Sequence, residues 1–120
     1  METESATQPS IDWSLSIKLA NNNKELARDL LNMFVADLPN ARQTIHNAYQ
    51  EAKYNELLSH VHRLHGASCY CGVVRLKKVL ANMEFSLKEK TLQHFPDALQ
   101  QFDDEVNNII VTYKEIDEFV

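Results

Sequence analysis

The sequence predicts an all-α protein, an antiparallel up-down-up-down four-helix bundle with one or two short accessory N-terminal helices. Only two of the 120 residues are glycine, whereas an average soluble domain of this length has about eight. Turns and β-bulges use glycine for positive φ, so its scarcity favours helices joined by short polar connections. A seam of apolar residues at 3.5-residue spacing near the C-terminus indicates helices that cross at about 20°.

The N-terminal part divides into a tail and a short helix. Residues 1–10 are polar and predict a flexible tail or the remnant of a linker, and residues 11–120 form the bundle domain. Apolar residues alternate from Ile11 to Leu19, but a lone strand has nothing to pair with. We therefore expect a short helix that ends in the three asparagines at positions 21–23.

The next apolar stripe predicts a helix that starts beside these asparagines. Asn22, with Glu25 three residues later, resembles a capping arrangement. Pro39 interrupts the stripe after Leu38, and a proline inside a helix removes a backbone hydrogen bond and kinks or ends it. The stripe nevertheless continues through Phe34, Leu38, Ala41, Ile45 and Ala48. Either one kinked helix or two helices fits this pattern.

Three further helices follow from the periodicity. The first carries the stripe Leu57, Val61, Leu64, Ser68 and Cys71 and is expected to end near Gly72 as its C′ residue. The second carries Val73, Leu76, Leu80, Met83 and Leu87. The last carries Phe95, Leu99, Phe102, Val106, Ile109, Tyr113, Ile116 and Val120, at alternating spacings of four and three. Because the connections are short, successive helices are expected to run antiparallel.

Composition excludes several classes of protein. Rossmann and P-loop sites need two or three glycines in one loop, so no autonomous ATP-dependent kinase activity is expected. No segment reaches the roughly 18 apolar residues of a membrane span, and no signal peptide is visible. Cys69 and Cys71 are too close for an ordinary disulfide. We therefore expect a cytoplasmic protein in a reducing compartment.

The charges are unevenly distributed along the chain. The net charge is −5, yet the segment from 60 to 90 is mainly basic and the segment from 101 to 120 is mainly acidic. The overall acidity and the lack of interleaved aromatic residues disfavour nucleic acid as a ligand. An acidic protein partner is the better expectation.

The histidines of the third stripe are the candidates for chemistry. His60, His62 and His65 lie on one predicted helix. With one residue every 100°, His62 falls about 140° from Leu57 and points away from the core. Gly66 lies one turn later and offers no side chain, although a glycine inside a helix costs about 1 kcal/mol relative to alanine. This cost suggests that the space beside His62 has a function.

Three interpretations of these residues remain open. In the first, His62 is a surface histidine of a helical interaction module and Gly66 allows close helix packing. In the second, His62, His65 and Cys69 bind a metal from one helical face. In the third, the neutral imidazole of His62 accepts and donates a transferable group. Spacing alone does not choose among them.

The segment around His62 resembles a known signature. His62-Arg63-Leu64-His65-Gly66-Ala67-Ser68, followed by Gly72 and Leu76, is similar to the H-x-L-K-G-S/A signature of histidine-containing phosphotransfer (HPt) domains. The resemblance extends over about residues 12 to 120. It is greatest to the C-terminal HPt domain of BarA/GacS-type hybrid sensor histidine kinases.

This resemblance implies a phosphorelay. A receiver-domain aspartyl-phosphate of the parent kinase would phosphorylate His62, and His62 would pass the group to the receiver aspartate of a separate response regulator. Mg²⁺ is expected on the receiver, with no cofactor or metal on this chain. The chain itself is expected to be a monomer that contacts neither nucleic acid nor membrane, on the cytoplasmic side of an inner-membrane kinase.

Residues around His62 are expected to support this role. Those expected to hold the phosphoryl group or bind the receiver are Arg63, His65, Gly66, Cys69 and Arg75, and Gly72 is structural. The family usually has lysine at the position of His65. Because histidine supports a dianion only when protonated, transfer or phosphorylated-state stability is expected to depend on pH between about 6 and 7.5.

Overall fold

Four long helices form the bundle, and one short helix precedes them. The computed structural model describes residues 8–119, with side chains as far as residue 116, and this part of the chain holds five α-helices and no strand. They are α1 (Trp13–Leu19), α2 (Lys24–Gln50), α3 (Tyr54–Ser68), α4 (Val74–Glu89) and α5 (Phe95–Phe119). Helix α2 packs on α3, α3 on α4, α4 on α5, and α5 back on α2, while α1 packs on α2. The predicted fold class is confirmed, with a single accessory helix in the described residues.

The predicted apolar stripes build the core. Every member of the stripes from Leu57 to Cys71 and from Val73 to Leu87 is buried. In α5 the members from Phe95 to Ile109 are buried, and Tyr113 and Ile116 pack at the edge of the same core. Val120 lies outside the described residues, as do residues 1–7 of the predicted tail. Helices α2 to α5 thus close around one hydrophobic core.

The start of α2 differs by one residue from the prediction. Its N-cap is Asn23, whose side-chain oxygen accepts the backbone N–H of Leu26 at 2.9 Å. Asn21 and Asn22 have φ of 59° and 64°, a left-handed conformation that asparagine tolerates better than most residues. These two residues make the turn, so the extended residue that can cap is the third asparagine.

Pro39 lies inside α2, which is one continuous helix. A proline in a helix interior costs about 3 kcal/mol. On either side of it, Leu38 and Ile45 are fully buried, and each such side chain gains about 1.5–3 kcal/mol on burial. Keeping one helical face against the bundle therefore outweighs the lost hydrogen bond.

Gly72 has a different role from the predicted helix end. Helix α3 ends at Ser68 with Cys69 as C-cap, and neither glycine has a positive φ. Gly72 is buried where the chain before α1 crosses the α3–α4 connection, and a Cβ there would lie 2.1 Å from the backbone oxygen of Asp12. Asp12 N–H donates to the Gly72 carbonyl at 2.7 Å, and Gly72 N–H donates to the Ser16 hydroxyl at 2.9 Å. Close approach, and not backbone conformation, requires glycine here.

None of the helices in the described range has a stretch long and apolar enough to cross a bilayer.

Candidate functional site

His62 lies in the middle of α3 on its solvent side. Leu57, Val61 and Leu64 hold the opposite face of the helix in the core. The His62 side chain is consequently 72% exposed, as its helical angle predicts. A partner can reach this imidazole without any rearrangement of the bundle.

A buried carboxylate on the neighbouring helix binds His62. The side chain of Glu84 in α4 is only 9% exposed, and its Oε2 lies 2.6 Å from His62 Nδ1. Its other oxygen, Oε1, lies 2.9 Å from His65 Nδ1. Lys88, one turn later in α4, places Nζ 3.1 Å from Oε2. We call His62, His65, Glu84 and Lys88 the Glu84 network.

The Glu84 network keeps its carboxylate ionised. Burial by itself raises the pKa of Glu84, but hydrogen bonds from His62, His65 and Lys88, together with the charge of Lys88, outweigh this effect. The net result is a pKa lowered from 4.5 to about 2. An ionised carboxylate can only accept hydrogen bonds.

The ionised carboxylate determines which nitrogen of each histidine carries a proton. Because Glu84 accepts from Nδ1 of His62 and of His65, both Nδ1 atoms are protonated. In a neutral imidazole the other nitrogen, Nε2, then has a free lone pair. His62 therefore presents an exposed nucleophilic nitrogen.

Gly66 leaves open space beside His62. A Cβ built on Gly66 would have nothing within 4 Å apart from its own helix. Helix packing therefore does not require glycine at this position, contrary to the first interpretation above. Because Gly66 has no side chain, no group projects from α3 on the C-terminal side of His62 at this position.

The remaining predicted residues take separate positions. Arg63 is exposed and lines a groove of about 190 Å³ between α2 and α3, together with Asp37 and Thr44. Cys69 is half-buried, and its thiol donates to the His65 carbonyl at 3.5 Å. Arg75 pairs with Glu105 of α5 at 2.8 Å. The structure thus gathers His65 beside His62, whereas the Arg75 guanidinium joins α4 to α5.

The histidines do not assemble a metal site. Within residues 8–116, no group of three or more histidine, cysteine or acidic side chains could hold a metal ion. Both Nδ1 atoms are directed at Glu84, and the Cys69 thiol is directed at a backbone carbonyl. The set His62, His65 and Cys69 is therefore not gathered around one point.

Glu84 and Lys88 were not among the predicted site residues. One signal was available, because Glu84 falls at the edge of the apolar stripe of α4 among mostly basic neighbours. A lone acid at such an edge indicates a cross-helix partner, but it does not identify which residue of α3 that partner is.

Comparison with known proteins identifies the family. The family model described as Hpt domain matches residues 29–111. The chain belongs to the Hpt domain family. This Hpt domain is a phosphorelay intermediate of two-component signalling, and domains of its family interact with receiver domains.

Curated relatives of this Hpt domain are large sensor kinases. It is 34% identical over 99 residues to the sensor histidine kinase GacS of Pseudomonas protegens, which covers 82% of this chain and 11% of that protein. It is 31% identical over 101 residues to the signal transduction histidine-protein kinase BarA of Escherichia coli K12, again 82% of this chain and 11% of that protein. The chain spans about a tenth of the length of these relatives.

Solved structures confirm the architecture of this Hpt domain. The HPT domain of a sensor hybrid histidine kinase from Shewanella superposes with a TM-score of 0.85 at 28% identity, covering 92% of this chain and 96% of that one. Histidine-containing phosphotransfer protein B from Pseudomonas aeruginosa gives a TM-score of 0.82 at 23% identity, covering 95% and 99%. The second likeness concerns the fold alone.

Proposed function

We propose that His62 carries the phosphoryl group of this Hpt domain. The observation that supports it most is the pairing of an exposed imidazole with a buried, ionised carboxylate on Nδ1. This arrangement directs the Nε2 lone pair to solvent, where the phosphoryl group of a partner can meet it. No other histidine is proposed as the phosphoryl acceptor.

The transfer is a displacement at phosphorus. The Nε2 lone pair of His62 forms the new N–P bond while the acyl O–P bond of an aspartyl-phosphate breaks, and the aspartate leaves as a carboxylate. The phosphorylated ring gains positive charge at nitrogen, and Glu84 stabilises it through the retained Nδ1–H bond. Attack by a second aspartate on the same phosphorus reverses these changes.

The surface around His62 has features that suit a receiver. Gly66 leaves room for loops of the partner, and Arg63 supplies exposed positive charge beside it for an acidic receiver pocket. Cys69, whose thiol donates to the His65 carbonyl, is half-buried and offers contact area to the receiver. Arg75 is left out of the proposed docking set because Glu105 already holds its guanidinium.

The likeness to sensor kinases supports a proposal for the partners and setting. We assign the donor to the receiver of a parent hybrid sensor kinase and the acceptor to a separate response regulator, with this domain acting as a monomer on the cytoplasmic side of the membrane. Mg²⁺ would be bound by the receiver. Glu84 is poorly suited to hold it here, because both its oxygens already accept hydrogen bonds.

The test is transfer from a phosphorylated receiver. A receiver domain of a hybrid sensor kinase is charged with acetyl phosphate and Mg²⁺ and then mixed with the chain. We expect an acid-labile, alkali-stable phosphate on the wild type and on the control variant His60→Gln, and none on His62→Gln. Equal phosphate on His62→Gln would assign the acceptor elsewhere, and no phosphate on any variant with several receivers would favour a helical interaction module.

A further inference from the structure

Lys88 shares a carboxylate oxygen with His62. His62 Nδ1 lies 2.6 Å and Lys88 Nζ 3.1 Å from the same Oε2 of Glu84. The two nitrogens are therefore within about 6 Å of each other, at hydrogen-bonding distances from one acceptor. We propose that Lys88 binds the phosphoryl group on His62, an inference that rests on the proposed function of His62.

The Lys88 ammonium is free to move toward a phosphoryl group on His62. Its side chain is 57% exposed, and its ammonium is a compact charge on a flexible four-carbon stem. Rotation of that stem can move Nζ around Oε2 of Glu84 toward Nε2 of His62 while α4 stays in place. An ammonium has three donors, so it can keep one bond to Glu84 and direct the others to phosphoryl oxygens.

The charge balance favours the same conclusion. Before phosphorylation, Glu84 is the anion that attracts Lys88. Phosphorylation places about two negative charges on the neighbouring imidazole, so the ammonium then lies between two anions. The single positive charge of Lys88 offsets part of both, and thereby reduces the repulsion between the phosphoryl group and Glu84.

The other nearby cations are less well placed. His65 is largely covered, with its side chain 26% exposed, and its Nδ1 is bound to the far oxygen of Glu84. Arg63 lies toward α2, on the groove that contains Asp37. Lys77 is seven residues before Glu84, about 10 Å along the axis of α4. Among these groups, Lys88 alone shares an acceptor oxygen with His62.

The test uses a chemical phosphodonor, so no receiver is needed. Phosphoramidate transfers its phosphoryl group to the imidazole and releases ammonia, and the His62 signal in the ³¹P spectrum is identified by its loss in His62→Gln. Its chemical shift is then followed against pH. A cation about 4 Å away lowers the second phosphoryl pKa by about half to one unit.

We expect the second phosphoryl pKa to rise by about half to one unit in Lys88→Gln. In Lys88→Arg it should return toward the wild-type value. Lys90→Gln removes the same charge two residues away and should titrate like the wild type. Identical titrations of the wild type and Lys88→Gln would overturn the role of Lys88 while His62 remains the acceptor. Absence of any ³¹P signal that depends on His62 would overturn the proposed function itself, and the role of Lys88 with it.

Discussion

Nδ1 of His62 in α3 donates to Oε2 of Glu84 in α4 across 2.6 Å. The histidine side chain is 72% exposed and the carboxylate 9% exposed, so the bond joins a reactive surface group to a rigid interior group. It fixes the orientation of the ring, and in the neutral imidazole it leaves the lone pair on Nε2. The main consequences for function and stability follow from this pairing.

Removing the Glu84 carboxylate should slow transfer. In Glu84→Ala the imidazole loses its acceptor, so either ring nitrogen can carry the proton. We expect the transfer rate to fall about tenfold, as when a functional histidine loses the carboxylate that orients its ring. Glu84→Gln keeps one acceptor oxygen and should retain more activity. The measurement is the rate of phosphate loss from a charged receiver, with ¹⁵N spectra of His62 reporting the tautomer. An unchanged rate and an unchanged tautomer in Glu84→Ala would contradict the role given to Glu84.

The same carboxylate should make stability depend on pH in the acid range. Burial opposes ionisation of Glu84, but its three donors lower the folded-state pKa to about 2 from 4.5. Ionised Glu84 therefore stabilises the fold above about pH 4.5, and this contribution is lost as the pH falls toward 2. A shift of this size corresponds to roughly 3 kcal/mol.

Urea unfolding between pH 7 and pH 2.5 measures this contribution. The difference in free energy of unfolding between the wild type and Glu84→Gln should be largest near neutral pH and shrink below pH 4.5. Asp97→Asn, in the first turn of α5, serves as a control for general effects of removing an acid. A difference that stays constant over the whole range would rule out the linkage.

The sequence predicts the fold well because apolar periodicity determines which face of each helix is buried. The same reasoning oriented His62 correctly from a helical angle. It missed Glu84 and Lys88 because periodicity does not determine how far α3 is shifted along α4, and that shift decides which residues meet. The low glycine count suggested few positions with positive φ, and this inference was wrong. Ala52 and Lys90 adopt φ of 56° and 57° at helix ends without being glycine.

Gly66 offers a test that separates folding from docking. A Cβ at this position meets nothing within 4 Å, and alanine is a better helix former than glycine by about 1 kcal/mol. Gly66→Ala should therefore raise the free energy of unfolding by about that amount. Gly66→Leu should also fold but reduce transfer from a receiver at least about tenfold, because its side chain occupies the docking space. Thermal melting and transfer rates check both, and undiminished transfer by Gly66→Leu would remove Gly66 from the docking surface.

Gly72 should behave in the opposite way. Its Cβ would lie 2.1 Å from Asp12 O and 2.8 Å from Ser16 Oγ, so alanine must push the start of α1 away. Gly72→Ala is expected to lower the free energy of unfolding by about 1–3 kcal/mol, the usual cost of overpacking. Denaturant titration of Gly72→Ala and Gly66→Ala compares their free energies of unfolding. The two variants make the same substitution, one in filled space and the other in open space. Equal stabilities of these two variants would contradict the close approach of α1.

His65 should give transfer a pH dependence that lysine would remove. Its Nδ1 already donates to Glu84 at 2.9 Å, so it carries positive charge only when its other nitrogen also binds a proton. With both nitrogens protonated, His65 would add positive charge to that of Lys88 beside the phosphoryl group, whereas lysine at this position carries its charge throughout this pH range. We expect the lifetime of phosphorylated wild type to vary between pH 6 and 7.5 more than that of His65→Lys. The ³¹P signal that depends on His62, followed over time at each pH, measures both lifetimes, and parallel profiles would show that His65 supplies no charge to the phosphoryl group.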